Sequence, residues 1–134
     1  MTTAIGLAAV TVSLRHVLEE GLVTQNISGM LGSTVSVTSL PPDKVVSASG
    51  TEAPQLNLFL HRVNPNPGWR NEGLPSRDNA GRHRLNNAPL ALDLHYLLTA
   101  YTGGDLHAEV LLGSAMLWLH SAAVLPREAI RRAL

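Results

Sequence analysis

The sequence predicts an α+β fold: a small mixed or mainly antiparallel sheet packed against an N-terminal helix and C-terminal helices, with a long loop arm over residues 64–88. Three observations predict it. Apolar residues recur at helical spacing near both ends of the chain. They alternate at strand spacing in the middle, and the stretch between the two longest strands follows neither period. Strands grouped between helices, rather than alternating with them, argue α+β over a doubly wound sheet. A chain of 134 residues is expected to form one domain. It is long enough to bury a core without disulfide or metal staples.

The first helix is expected over residues 3–22. Leu7, Val10, Leu14, Val17 and Leu18 form one apolar stripe and Ile5, Ala8 and Val12 a second beside it, with Gly21 as a stop. Residues 26–32 read as a connection. Val35 and Val37 alternate with Ser36 and Thr38 in a short strand over 34–40, which Pro41 and Pro42 end. Residues 43–54 are small and polar and read as a short strand or a loop. In the strand over 55–63, Leu56, Leu58 and Leu60 point one way and Asn57, Phe59 and His61 the other. A further strand is expected over 89–101, with Leu90, Leu92, Leu94, Tyr96 and Leu98 on one face. After the Thr102-Gly103-Gly104 turn, Asp105 is the expected N-cap of a helix over 106–122. That helix is expected to bury Leu106, Val110, Leu117 and Trp118, with Leu112 and Met116 alongside. Pro126 fits the first turn of a last helix over 127–134, whose uncapped end suits a chain that is truncated or normally continues.

The stretch from Asn64 to Asn87 holds three prolines, three glycines and several asparagines without periodicity. Connections longer than about 15 residues are uncommon in a compact domain and tend to be functional or disordered. Between His61 and Arg84, five arginines (62, 70, 77, 82 and 84) are opposed only by Glu72 and Asp78, leaving a local net charge of +3. Lysine occurs once in the chain, at Lys44. Guanidinium groups make forked bonds and stack, so they suit interface pairs better than ammonium groups do. Three readings of the segment stand: a tracker of nucleic-acid phosphates, a solvated loop, or an arm docked on a neighbouring subunit with Trp69 and the arginines as anchors.

Charged residues make up only 15% of the chain and hydrophobic ones 45%, against about 25% charged in an average soluble protein. A self-associating subunit fits that deficit, as does a merely neutral surface. Net charge is zero, whereas a free nucleic-acid binder carries a basic excess. Without cysteine there are no disulfides and no thiolate metal sites. The apolar start has no basic leader and is interrupted by Arg15 and His16, so neither a signal peptide nor membrane insertion is expected. Assembly in the cytoplasm is.

Candidate chemistry is thin. Asp93 and His95 share a strand face, and His61 on a neighbouring strand has the same sense. They suggest a metal site or part of a hydrolase triad, but no second ligand pair and no G-x-S-x-G elbow accompany them. Gly103-Gly104 before a helix lacks the lysine and further glycines of a phosphate loop. The chain is expected not to be an enzyme and to have no cofactor and no metal. Met116 and Trp118 read as core, and His16 and His120 as partly buried or capping residues.

Several segments, in order, resemble one family. Residues 91–101 (ALDLHYLLTAY) are similar to the signature strand of the cap protein N-terminal domain of extracellular contractile injection systems, the antifeeding-prophage-like and virulence-cassette-like particles. Residues 58–66 (LFLHRVNPN) resemble the family's strand with its Asn-Pro exit, and residues 69–77 (WRNEGLPSR) its following loop. Residues 111–116, Leu119-His120 and 124–127 resemble its helix and the link to the last one, and residues 5–18 its first helix. Only residues 33–54 show little likeness.

The resemblance implies a tail terminator: a homohexameric ring on the end of inner tube and sheath that stops their polymerisation and holds the last sheath ring. Its partners would be further copies of itself and the tube and sheath subunits, with no nucleic acid. A related ring protein of a phage tail or type VI-like apparatus is a neighbouring reading, and a nucleic-acid or phosphate-binding module using the loop at 61–84 is the alternative. In a ring, one heterologous contact repeats until it closes. The expected interface residues are Asn64, Trp69, Arg70, Asn71, Arg77, Arg82 and Arg84, the arginines bonding carboxylates or backbone of the adjacent subunit or sheath ring.

Overall fold

The helical period at the start of the chain becomes α1, Gly6–Thr24, followed by α2, Ile27–Leu31, β1, Ser36–Thr38, and α3, Pro42–Val45. The two runs of alternating residues become β2, Gln55–Pro65, and β3, Leu92–Tyr101, and the chain continues through α4, His107–Ser121, and α5, Arg127–Arg132. The computed structural model describes residues 5–45, 53–70 and 73–133. The sheet runs β1-β2-β3, and β1 pairs with β2 in parallel. Just past β2, Asn66 N–H donates to the carbonyl of Ala91, just before β3, so the end of β2 meets the start of β3. The sheet is therefore mixed and the fold a small α+β one, as the sequence predicts.

The chain divides into two compact units, Met1–Phe59 with Leu97–Leu134, and Leu60–Tyr96. In the larger unit, α1 turns a face of mostly small residues inward: Ala9, Ser13, Leu18, Gly21 and Leu22 are buried. Small residues let a neighbouring element come close. Gly21 touches the Trp118 indole of α4, where an added Cβ would overlap the ring. The buried Ser13 hydroxyl donates to Ala9 O at 2.8 Å, with Ala129 O of α5 at 3.3 Å. Gln25 Nε2 donates to Ser114 O of α4 at 3.3 Å.

Leu56 and Leu58 are buried, as the alternation predicts, and Val37 joins them from β1. Asn57, expected on the polar face, is fully buried too. Its amide binds both backbone groups of Leu40: Oδ1 accepts from Leu40 N at 3.0 Å and Nδ2 donates to Leu40 O at 2.9 Å. Thr38 Oγ1 donates to Asn57 Oδ1 at 2.9 Å, and Gln55 Nε2 donates to Thr38 Oγ1 at 2.6 Å. The chain leaving β1 is thereby satisfied by side chains where no further strand of the described residues pairs with it.

Other expectations are corrected. α1 continues past Gly21 to Thr24, because that glycine serves packing rather than termination. The connection at 26–32 contains α2, set between left-handed Asn26 and Gly32. Residues 42–45 form a helix rather than a strand or loop, while 46–52 lie outside the described residues. β3 begins at Leu92, leaving Leu90 exposed. The position before α4 is Leu106, in left-handed backbone and without a side-chain cap, so Asp105 is not the N-cap. α4 buries Leu111 and Ala115, whereas Leu106, Val110, Met116 and Leu117 are exposed. His16 and His120 are exposed as well.

Candidate functional site

The smaller unit is built around one asparagine. Past the end of β2, Asn66 uses its backbone and both ends of its amide. Besides the bond to Ala91, its carbonyl accepts from Arg70 N at 3.1 Å. Its Oδ1 accepts from Trp69 N at 2.9 Å, and its Nδ2 donates to Asp93 Oδ1 on β3 at 2.7 Å. These bonds turn the chain sharply at 66–70 and tie the loop's departure from β2 to its return into β3. The loop also closes on itself near its base, where a Cβ added to Gly73 would come within 2.8 Å of the Pro89 ring.

Farther out, the loop forms a small hairpin. Leu85 N donates to Ser76 O at 2.8 Å, and Asp78 N to His83 O at 3.0 Å. Arg77 and Arg84 face one another across an isolated antiparallel bridge. The Asp78 carboxylate accepts from the backbone N–H groups of Arg82 at 2.8 Å and His83 at 3.3 Å. Gly81, at φ +68, takes the left-handed position that closes the turn. The Asn86 amide oxygen accepts from Ser76 N at 2.7 Å. Asp78 spends Oδ1 on backbone N–H groups, and no described ion pair joins a carboxylate to Arg77 or Arg84. Like charges placed opposite one another repel, so this pair favours an anionic partner.

Among the predicted site residues, Arg70, Arg77, Arg82 and Arg84 are exposed, and Trp69 is 62% exposed. Arg77 donates to Gly81 O at 3.3 Å. Asn64, half-buried, accepts from Arg62 Nε at 3.2 Å, and Asn71 lies outside the described residues. Among the described residues the one ion pair is Arg15–Glu19 at 4.0 Å, so no described carboxylate pairs with the four loop arginines. No described residue of 60–96 is buried. Val63, Trp69, Leu74, Leu85 and Leu90 all present apolar surface.

The unit thus offers guanidinium forks and apolar anchors on a hydrogen-bonded frame, an arrangement suited to binding carboxylate-bearing or phosphate-bearing surfaces. Sequence reasoning named the arginines and Trp69 but missed the residues that position them, Asn66, Asp78 and Asn86. Two signals were present. Asn66-Pro67-Gly68 is a turn tripeptide, and Asp78 followed three residues later by Gly81 is the signature of a type I turn. The His61 and His95 rings lie edge to face with centroids 6.4 Å apart, while Asp93 is engaged by Asn66. Among the described residues no three His, Asp or Glu side chains converge as a metal cluster would require.

No described helix is long and apolar enough to cross a membrane. No curated protein and no solved structure matches the chain. The family model for the Pvc16 N-terminal domain matches residues 9–134, from within α1 to the last residue. The chain therefore belongs to the Pvc16 N-terminal domain family and is a protein related to phage-tail-like contractile injection systems.

Proposed function

We propose that this chain is a structural cap, the tail terminator of a contractile injection particle. It forms a homohexameric ring that ends tube and sheath polymerisation and anchors the last sheath ring. Its partners are other copies of itself and the tube and sheath subunits, it assembles in the cytoplasm, and it performs no catalysis. The observation that carries this reading is the smaller unit, 60–96, which holds the arm: it has no buried described residue yet exposes Trp69 and four arginines without described carboxylate partners. Aromatic residues and arginine are the side chains enriched where protein interfaces concentrate their binding energy.

The test is the particle-length distribution by electron microscopy after deletion of this protein from cells that make the particles. Overlong or ragged tubes, corrected by supplying the protein again, are the expected result. Particles of normal length with intact ends would overturn the proposal. The Arg77–Arg84 pair, in no described ion pair, also suits phosphate. On that reading the purified protein would bind nucleic acid with an affinity that falls steeply as salt rises.

A further inference from the structure

The outward side of α4 has no role inside its own unit. One side of the helix is occupied: Leu111 and Ala115 are buried, and Trp118 lies against Gly21 of α1. On the opposite side Glu109, Val110, Gly113, Met116, Leu117 and His120 are all exposed. At 3.6 residues per turn they share one face. We propose that this face is the seat on which the arm of a second copy docks. The inference rests on the ring reading above and gives it a contact.

Three observations beyond exposure support it. Gly113 sits in the middle of that face, where glycine weakens a helix relative to alanine. A Cβ added there would meet nothing within 4 Å, so no packing inside the chain requires the glycine. A partner that approaches the helix closely would. Leu106, immediately before α4, is held in left-handed backbone at φ 59 with its side chain 65% exposed. That conformation suits glycine or asparagine far better than leucine, so the position keeps a strained apolar side chain facing solvent.

The third observation is charge, and it selects the occupant. Residues 60–96 carry five arginines against Glu72, Asp78 and Asp93, an excess of two positive charges, and the rest of the neutral chain carries the balancing two negative ones. The exposed carboxylates Asp105 and Glu109 stand at the N-terminal end of the α4 face, in no ion pair among the described residues. The arm brings the complement: Trp69, Leu74, Leu85 and Leu90 for the apolar stripe, and guanidinium groups for the two carboxylates. Arm and α4 face are different patches, so each copy offers one and receives one. Such a heterologous contact propagates from copy to copy, and becomes a ring when the rotation between copies closes.

The chain has no cysteine, so disulfide trapping starts from a clean background. M116C would be paired in turn with L74C, L85C and L90C in cells that make the particles, followed by mild oxidation and a non-reducing gel. At least one double variant should give a ladder of covalent multimers. The matching single variants, coexpressed, should give cross-linked dimers and no higher species. A link confined to monomers, or no link from any pair while the protein remains on particle ends, overturns the proposal. G113L separates docking from folding, because the added side chain has open space within its own chain. Its melting temperature should match or exceed that of the parent, while its incorporation into particles falls about tenfold or more, the effect of overpacking an interface. Undiminished incorporation also overturns the docking. If particle length depends on the protein but trapping and G113L both contradict this contact, the cap reading survives and only the α4 seat is lost. If deletion leaves particle length unchanged, it is the cap reading that fails.

Discussion

The two compact units are held together by different means. The larger one has an apolar core of Leu18, Ile27, Leu56 and Leu111 together with a buried amide, Asn57, that bonds both backbone groups of Leu40. The smaller one has no buried described residue. It keeps its form through hydrogen bonds centred on Asn66, Asp78 and Asn86. Burial of apolar surface dominates folding energy, whereas one hydrogen bond contributes about 1 kcal/mol net. Folding stability is therefore expected to reside in the first unit. Side chains of the second are left available for partners.

Substitutions should expose that contrast. The largest effect is expected from Leu111→Ala, which empties a fully buried site and should lower unfolding free energy by about 3 kcal/mol in urea denaturation. Next comes Asn57→Leu, which keeps side-chain volume but strands the N–H and C=O of Leu40; a loss of about 2 kcal/mol is expected in the same experiment. Asn66→Ala should change global stability by about 1 kcal/mol or less. Its main result would be faster amide exchange at Trp69, whose N–H loses its acceptor. The smallest effect belongs to replacing Arg70, Arg77, Arg82 and Arg84 by alanine, each within about 0.5 kcal/mol as for exposed positions. A large loss of stability from the arginine set would erase the distinction between the units.

The elements that sequence predicts well are those with a single period. Leu56 and Leu58 alternate along β2 and are buried as expected, and α1, α4 and α5 fall near their predicted places. α4 shows the limit. It is apolar nearly all round, so periodicity identifies a helix but not its buried side. Leu106, Val110, Met116 and Leu117 were expected inward, whereas Leu111 and Ala115 are the buried pair. The burial of Asn57 depends on the backbone of Leu40, a long-range partner that strand alternation cannot reveal. Gly21 resembles a helix stop until Trp118 is placed against it. The arm was legible as a stretch without period, and its arginines and Trp69 as exposed side chains. Its hairpin was not, because a bridge as short as Arg77–Arg84 leaves no periodic trace.

The most direct test of the central claim, that the arm rather than the core carries the capping role, is the particle-length distribution with Arg70, Arg77, Arg82 and Arg84 all replaced by alanine. The variant would be supplied to cells lacking the parent protein, and its fold confirmed by an unchanged melting transition. Overlong tubes resembling those of the deletion are the expected result. Normal-length, intact particles from a folded variant would contradict the claim.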